Sequence, residues 1–193
     1  MSEDLVQLKR ALRADLRERR RNLTTLETEN AARAFTERLT ELVRTMDVRS
    51  VASFLPTVDE PNVRGFNAWA IENGIQLLVP VSRDDGLLDW VDSDGTSETQ
   101  DAFGWPEPVG ELLGPIAIND VDLIITPAAA VDRTGMRMGW GRGYYDRMLG
   151  SMENCPPVYA VIYDNELMDE VPTEIHDKPV DGVVTPGGVV TFS

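Results

Sequence analysis

The spacing of apolar residues near the start of the chain is typical of an amphipathic helix. Leucines recur three or four positions apart and so share one helix face, at Leu5, Leu8, Leu12 and Leu16. A second segment with this period runs from about Glu27 to Met46. The pattern therefore predicts that two helices precede the first strand.

After these helices the pattern changes to short, nearly continuous apolar runs. The run "SVASFLP" is typical of a buried strand, "VRGFNAWAIENG" of a helix that ends at Gly74, and "IQLLVP" of another strand. Together they predict a βαβ unit with a parallel strand pair. The turn signals "DDG" and "SDG" enclose "LLDWV", which predicts a hairpin strand. Residues 93–115, rich in glycine, proline and acids, are predicted to be irregular.

The second half of the chain continues to alternate between strands and helices. The uninterrupted run "VDLIITPAAAV" predicts a central strand, and a helix is expected from Tyr144 to Met152 after a glycine-rich loop. "VYAVIY", "VDGVVTP" and "GVVTF" predict three more strands. We therefore expect residues 1–193 to form a single α/β domain: a Rossmann-like, three-layer αβα arrangement on a mostly parallel sheet, preceded by two helices. Ligands are expected at the carboxyl ends of its strands.

The composition restricts the chemistry that the chain can perform. Cys155 is the single cysteine, which excludes an internal disulfide and a thiolate zinc cluster. His176 is the single histidine, so a multi-histidine metal site is excluded, and no nucleophile motif supports a Ser-His-Asp hydrolase. Catalysis and binding are therefore expected to depend on carboxylates, Lys, Arg, Tyr and backbone amides. A metal ion, if used, is expected to have oxygen ligands.

The formal net charge of −15 argues against binding to nucleic acid or to an anionic membrane. No apolar run approaches the roughly 20 residues needed to cross a bilayer, and the first residues lack the pattern of a signal peptide. We expect a cytoplasmic, monomeric protein that acts on small molecules.

Basic residues are nevertheless concentrated in two segments, "KRALRADLRERRR" and "RTGMRMGWGRGYYDR". A solvated helix face explains the first segment as well as ligand binding does. The second is harder to explain in this way, because glycines interrupt any helix there.

Glycine alternates with other residues at Gly139, Gly141 and Gly143, a spacing that matches neither the Walker motif nor the dinucleotide fingerprint. Glycines allow consecutive amides to point into one concavity, where they hold phosphate oxygens beside the positive end of the next helix. Arg137 and Arg142 add positive charge. The loop therefore predicts phosphate binding, and a plain tight turn is the alternative.

Asp146 follows this loop directly. A carboxylate repels a phosphate unless a divalent cation lies between them, and Mg²⁺ is the natural candidate because it prefers oxygen ligands. The sequence therefore suggests a phosphate site that includes magnesium.

The segment "DLIITPAAAVDRTGMRMGWGRGYYDR" resembles the central signature of the 5-formyltetrahydrofolate cyclo-ligases, also called methenyltetrahydrofolate synthetases. Weaker correspondences are "KRALR", "FLPTVDEP", "FGWPEP" and "VPTEIHDKPVDGVVT". The resemblance implies an ATP- and Mg²⁺-dependent ligase of one-carbon metabolism. ATP phosphorylates the formyl oxygen of 5-formyltetrahydrofolate, the neighbouring nitrogen closes the ring, and 5,10-methenyltetrahydrofolate, ADP and phosphate are released.

The resemblance also implies roles for individual residues. Arg137 and Tyr145 are expected to be catalytic, and Asp146 and Asp177 to bind magnesium. The expected ATP-binding residues are Lys9, Arg10, Arg13, Arg137, Gly139, Gly141, Arg142, Gly143, Tyr144 and Tyr145. The expected folate-binding residues are Leu55, Glu60, Phe103, Trp140, Gly141, Arg142, Gly143 and Tyr144. Lys9 and Arg13 are four positions apart and share a helix face, and a glutamate such as Glu60 can accept two hydrogen bonds from a pterin.

Three positions depart from the family pattern: Val63, Val131 and Trp140. Val131 is interpreted as a packing residue, and Trp140 keeps an aromatic face. Val63 stands where the family often has Thr, which changes the expected folate contacts but not the phosphate site.

Three alternatives remain open. The first is a folate or nucleotide sensor without turnover, although Lys9, Arg137, Asp146 and Asp177 are all retained. The second is an ATP-dependent enzyme of the same fold that acts on another small metabolite. The third, RNA binding by the first helix, is opposed by the net negative charge and by the lack of a nearby aromatic platform.

Overall fold

The structure is a computed structural model that describes residues 3–101 and 104–193. Its helices are α1 (Glu3–Arg21), α2 (Thr25–Thr45), α3 (Arg64–Glu72) and α4 (Tyr144–Ser151). Its strands are β1 (Ser50–Ala52), β2 (Gln76–Ser82), β3 (Leu88–Gln100), β4 (Pro106–Leu113), β5 (Leu123–Pro127), β6 (Ala130–Asp132), β7 (Arg137–Met138), β8 (Val158–Val161), β9 (Leu167–Met168), β10 (Gly182–Thr185) and β11 (Gly188–Thr191). Short 3₁₀ helices span Pro115–Asp120 and Asp164–Glu166. No helix in these described ranges is both long and apolar enough to cross a bilayer.

Eight strands form the main sheet, in the order β11-β10-β8-β5-β1-β2-β3-β4. Neighbours from β10 to β2 are parallel, while β11 at one edge and β3 and β4 at the other are antiparallel. The predicted α/β class, the parallel β1–β2 pair and the central position of β5 are therefore confirmed. A second, three-stranded sheet has the order β7-β6-β9.

The main sheet is covered on both faces, which explains why β5 is continuously apolar. Leu123 and Ile125 of β5 belong to a core that includes Phe35 of α2 and Phe66 of α3. Ile124 belongs to the core on the opposite face, which includes residues of α4. Because successive strand side chains point to opposite faces, one short strand contributes to both cores.

Helix α1 packs against the small sheet, and its buried face differs from the predicted leucine stripe. Leu16 is buried with Met138, but Leu8 is 57% exposed. Lys9 and Arg20 are buried in its place. The polar partners of these two cations, described below, determine which face of α1 points inward.

The prediction that residues 93–115 are irregular is wrong, because β3 and β4 form a hairpin across most of this segment. The "SDG" turn signal coincides with a register shift between Ser93 and Glu98. Gly95 has φ +80° there, and a Cβ on it would lie 2.8 Å from the Asn67 carbonyl oxygen. The hairpin forms at the sheet edge, where polar and proline residues are tolerated because they face solvent.

A capping box begins α2. The Thr24 hydroxyl accepts a hydrogen bond from the Glu27 amide at 3.2 Å, and the Glu27 carboxylate accepts one from the Thr24 amide at 2.8 Å. These bonds satisfy amides that lack partners within the helix.

Thr24→Ala should lower the free energy of unfolding by about 1 kcal/mol because it removes this hydroxyl acceptor. Thr24→Ser keeps the acceptor and is the matched control, expected to stay close to the wild type. Urea denaturation of the three proteins measures the difference, and equal stability of Thr24→Ala and Thr24→Ser would contradict the role of the cap.

Candidate functional site

A cavity of about 820 Å³ lies at the carboxyl ends of β1 and β5. Its walls are α1, the loop after β1, the end of β5, the segment from β7 to α4, and the segment before β10. Parallel strands end at this edge of the sheet, as expected for a ligand site in such a fold. Its lining includes charged and aromatic side chains together with the glycine-rich loop: Lys9, Arg13, Arg17, Glu60, Arg137, Gly139, Trp140, Gly141, Arg142, Gly143, Tyr144, Tyr145, Asp146, Glu174 and Asp177.

The glycine-rich loop joins β7 to α4, and its glycines are required by conformation and by space. Gly141 has φ +103°, and Gly143 has φ +71° at the start of α4. A Cβ on Gly141 would lie 3.3 Å from Nη1 of Arg13, and one on Gly139 would lie 3.0 Å from Nη1 of Arg137. Glycine therefore lets the loop turn and lets two guanidinium groups approach its backbone.

Lys9 enters the cavity wall between two carboxylates. Its Nζ donates hydrogen bonds to Glu174 Oε2 at 2.7 Å and to Asp177 Oδ2 at 2.8 Å. Burial alone lowers the pKa of Lys9, but the hydrogen bonds and charges of Asp177 and Glu174 outweigh it and raise this pKa above its ordinary value. Lys9 is therefore a buried, charged and fully compensated group.

Arg13 lies one helical turn after Lys9. Its Nε donates a hydrogen bond to the Gly139 carbonyl oxygen at 2.7 Å, which ties α1 to the glycine-rich loop. Burial lowers the pKa of Arg13 below its ordinary value, against the opposing charges of Asp177 and Glu174. The group still carries its charge at neutral pH.

Arg137 forms the floor of the cavity and is only 3% exposed. Its Nη2 donates to Asp146 Oδ1 at 3.0 Å, and its Nη1 donates to the Pro127 carbonyl oxygen at 3.2 Å. Its guanidinium carbon lies 5.7 Å from the centre of the Tyr145 ring. Its Nε is buried without a hydrogen-bond partner in the described ranges, so one donor of this buried cation is unused.

Tyr145 and Glu60 also line the cavity and interact electrostatically with each other. The Tyr145 hydroxyl is buried, and the described residues offer it no hydrogen-bond partner. Burial raises its pKa, with a further contribution from the charge of Glu60. The half-buried Glu60 accepts a hydrogen bond from the Thr57 amide at 2.9 Å, and burial raises the pKa of its carboxyl group. Tyr145 is therefore a neutral donor at neutral pH.

Two tryptophans provide aromatic faces at the cavity, and both contact arginines. The guanidinium carbons of Arg17 and Arg20 each lie 5.0 Å from the centre of the Trp140 ring. That of Arg142 lies 5.1 Å from the Trp105 ring. Such contacts favour a cation over the ring face, so they hold Trp140 and Trp105 against the basic residues of the wall.

The carboxylates at the cavity have the donor chemistry that Mg²⁺ prefers. Asp146 Oδ1 accepts a hydrogen bond from Arg137, and Asp177 Oδ2 accepts one from Lys9. Asp146 Oδ2 and Asp177 Oδ1 accept no hydrogen bond from the residues described. Glu174, His176 and Asp177 also offer ligand atoms within 4.8 Å of one another. The residues therefore fit an oxygen-ligated cation, and the exposed His176 is the least suited donor.

The structure brings most of the predicted site residues to this one cavity, and their roles stay predictions. Two predicted residues lie elsewhere: Arg10 is exposed and outside the lining, and Leu55 packs against the main core. Phe103 lies outside the described residues. Val131 is fully buried in a core, as expected for a packing residue, and Val63 is fully buried in the core on the opposite face of the sheet.

Sequence reasoning missed several residues of the cavity wall, including Glu174, Arg17 and Trp105. Glu174 is a partner of Lys9, and Arg17 and Trp105 also line the cavity. The four-residue spacing from Arg13 would have identified Arg17, because both share one helix face. Glu174 and Trp105 carry no local signal, since their positions depend on long-range packing.

The fold and this cavity define an α/β protein with a basic, glycine-lined site at the ends of parallel strands. The model of the 5-formyltetrahydrofolate cyclo-ligase family matches residues 6–186, and the chain belongs to this family. The family resemblance noted from the sequence is therefore confirmed.

Individual relatives agree with this assignment. The chain is 36% identical over 143 residues to the 5-formyltetrahydrofolate cyclo-ligase of Mycolicibacterium smegmatis, covering 72% of this chain and 74% of the relative. It is 27% identical over 180 residues to the 5-formyltetrahydrofolate cyclo-ligase of Haemophilus influenzae, covering 90% of this chain and 95% of the relative.

Two solved structures have the same fold. The 5,10-methenyltetrahydrofolate synthetase of Aquifex aeolicus matches with a TM-score of 0.79 and 28% identity, over 95% of this chain and 92% of that one. The 5,10-methenyltetrahydrofolate synthetase of Mycoplasma pneumoniae matches with a TM-score of 0.70 and 21% identity, over 91% of this chain and 96% of that one. The second likeness concerns the fold alone.

The raised pKa of Glu60 predicts a pH-dependent stability difference. Because this pKa is higher in the folded chain than the ordinary 4.5, the unfolded chain loses the proton first as the pH rises. The wild type therefore loses stability from pH 4.5 up to the folded pKa. Glu60→Gln keeps an acceptor for the Thr57 amide and removes this loss.

Thermal unfolding between pH 5 and pH 8 tests this prediction. The Tm of Glu60→Gln minus that of the wild type should increase with pH and then level off. The matched control is Glu72→Gln on the exposed end of α3, for which a flat difference is expected. A flat difference for Glu60→Gln as well would contradict the assigned cost of ionising Glu60.

Proposed function

We propose that the protein catalyses the ATP-dependent cyclisation of 5-formyltetrahydrofolate to 5,10-methenyltetrahydrofolate, with release of ADP and phosphate. Family membership and the names of its relatives support this reaction. The observation that carries the proposal is the single cavity that combines a glycine-rich loop and buried cations with Glu60 and Tyr145.

The nucleotide half of the cavity, as we propose it, consists of the glycine-rich loop with Lys9, Arg13 and Arg137. Phosphoryl transfer requires positioning and charge neutralisation more than covalent chemistry. The loop turns through left-handed glycines at the start of α4, where amides lack partners within the helix. Arg13 and Arg137 contact this loop and Lys9 lines the same cavity, and all three contribute positive charge towards phosphate oxygens.

The folate half is assigned to Glu60, Trp140 and Tyr145. A carboxylate accepts hydrogen bonds from the amino-pyrimidinone edge of a pterin, and an aromatic face packs against a flat ring. Trp140 Nε1 and the Tyr145 hydroxyl are both buried without partners among the described residues. A bound ligand with acceptor oxygens would satisfy these two donors, whose burial otherwise costs free energy.

The proposed reaction has two steps. The formyl oxygen attacks the γ-phosphorus of ATP, and ADP leaves with the electron pair of the broken bond. The neighbouring side-arm nitrogen then attacks the activated formyl carbon and loses its proton, and the ring closes as phosphate leaves. Arg137 stabilises charge on the transferred phosphoryl group, and the neutral Tyr145 donates a hydrogen bond near the formyl group.

The family resemblance also implies Mg²⁺, and we assign Asp146 and Asp177 to hold it. Bound Mg²⁺ would supply charge neutralisation to the phosphate oxygens. In this structure Asp177 accepts a hydrogen bond from Lys9, and Asp146 accepts one from Arg137. Protein cations therefore neutralise the same two carboxylates.

The direct test mixes purified protein with 5-formyltetrahydrofolate, Mg²⁺ and ATP and follows the absorbance of the methenyl product. Turnover should require both ATP and Mg²⁺. Ligand binding without product would support the sensor alternative instead, and the absence of both would refute the proposed function.

Asp146→Asn should reduce kcat in this assay by about two orders of magnitude or more, because it removes one of two proposed anionic ligands. The fold should persist, since Asn keeps an acceptor for Arg137. Asp169→Asn, at a 96% exposed side chain paired with Arg133, is the matched control. Unchanged turnover of Asp146→Asn would remove the metal assignment.

Gly141→Val should abolish measurable ATP binding in calorimetry. The side chain is strained at φ +103°, and its Cβ crowds Arg13. Gly114→Val is the matched control, because Gly114 has φ −71° and no atom lies within 4 Å of the added Cβ. Normal ATP affinity of a folded Gly141→Val protein would refute the assignment of the loop to phosphate.

A further inference from the structure

An ion pair between Arg20 and Glu166 lies directly behind the cavity wall. Arg20 Nε donates to Glu166 Oε1 at 2.7 Å, and Arg20 Nη2 donates to Glu166 Oε2 at 2.7 Å. The two side chains are 2% and 3% exposed. They line no part of the cavity, so neither residue contacts a ligand there.

Arg20 also binds two carbonyl groups at the edge of the cavity. Its Nη1 donates to the Asp59 carbonyl oxygen at 3.1 Å, and its Nη2 donates to the Ala128 carbonyl oxygen at 2.8 Å. Asp59 directly precedes Glu60, and Ala128 directly follows β5. Arg20 therefore joins α1 to both the loop after β1 and the end of the central strand.

The same guanidinium group packs against aromatic rings. Its carbon lies 5.0 Å from the centre of the Trp140 ring and 5.6 Å from that of Tyr163. Glu166 also holds the backbone of Tyr163, because its Oε2 accepts a hydrogen bond from the Tyr163 amide at 2.7 Å. One buried side chain thus contacts two of the segments that carry proposed folate residues, namely those of Glu60 and Trp140.

Stability alone does not require such an ion pair. Desolvating two charges is costly, and replacement of a buried pair by apolar side chains of similar volume is often neutral or stabilising. The geometry of the Arg20 contacts is specific, because five donors in a rigid plane fix several acceptors at once. This combination is typical of a group that orients other residues.

We infer that Arg20, held by Glu166, is a positioning residue that sets the location of Glu60 and Trp140 and thereby the affinity for the folate. This inference rests on the proposed function. ATP binding depends on other contacts, since Lys9 is held by Glu174 and Asp177, and Arg13 holds Gly139.

The test is the double variant Arg20→Met/Glu166→Met, which removes both charges and keeps similar volumes. Its Tm should fall only moderately, because loss of the ion pair itself costs little while the Ala128 carbonyl and the Tyr163 amide each lose a partner. KM for 5-formyltetrahydrofolate should rise about tenfold to a hundredfold, because small misplacements of binding groups weaken productive binding strongly. KM for ATP should rise much less than KM for the folate, because Arg13 still holds the Gly139 carbonyl of the glycine-rich loop. Arg64→Met/Glu98→Met, at a half-exposed ion pair away from the cavity, is the matched control.

A second variant addresses failure of the double variant to fold. Arg20→Lys keeps the charge beside Glu166 but cannot bind Glu166, Asp59 and Ala128 in one plane. It should give the same selective rise in the folate KM. Unchanged folate KM in a folded variant would overturn the inference, and so would unfolding of both variants, which would make the pair a stability element.

Hydrogen exchange separates failure of this inference from failure of the proposed function. Amides in residues 57–60 and 139–142 should exchange faster in the folded variants than in the wild type, whatever the substrate is. A wild type without cyclo-ligase turnover would refute the proposed function while this measurement still tests positioning. Unchanged exchange in both segments would overturn the positioning role.

Discussion

Buried cations on α1 need anionic partners, and this requirement fixes where the helix lies. Lys9 reaches Glu174 and Asp177, and Arg20 reaches Glu166. A buried charge without a partner costs several kcal/mol, so α1 cannot rotate or shift without a large loss of free energy. The helix is therefore held against the small sheet rather than the main one. Arg13 and Arg17, on the same side of α1, line the cavity as a result.

The glycine-rich loop meets a second constraint that is coupled to the first. Its left-handed glycines turn the chain into α4, and the space that a Cβ would fill is occupied by the guanidinium groups of Arg13 and Arg137. Conformation and electrostatics thus require the same small residues. Lys9 and Arg137 are both neutralised by carboxylates of the protein itself. A negatively charged ligand would compete with these carboxylates for the cations.

Local patterns predicted much of the fold, including the βαβ unit, the central strand β5 and helix α4. Each of these has a continuous or periodic apolar signal that neighbouring residues reinforce. The start of β3 was predicted as a hairpin strand, but its second half and the edge strand β4 were missed, because their exposed polar residues leave no such signal. The exposure of Leu8 was missed for a related reason: helical periodicity gives a face but not the surface that covers it.

The sequence by itself determined the fold class, the family and the loop with Gly139, Gly141, Gly143 and Asp146, because these depend on residue type and short spacing. Only the tertiary structure decided which charges meet. Arg20 and Glu166 are 146 positions apart, and Lys9 and Glu174 are 165 apart. Such pairs leave no trace in local spacing, because the packing of α1 against the small sheet, and not the order of residues, brings their atoms within 2.7 Å.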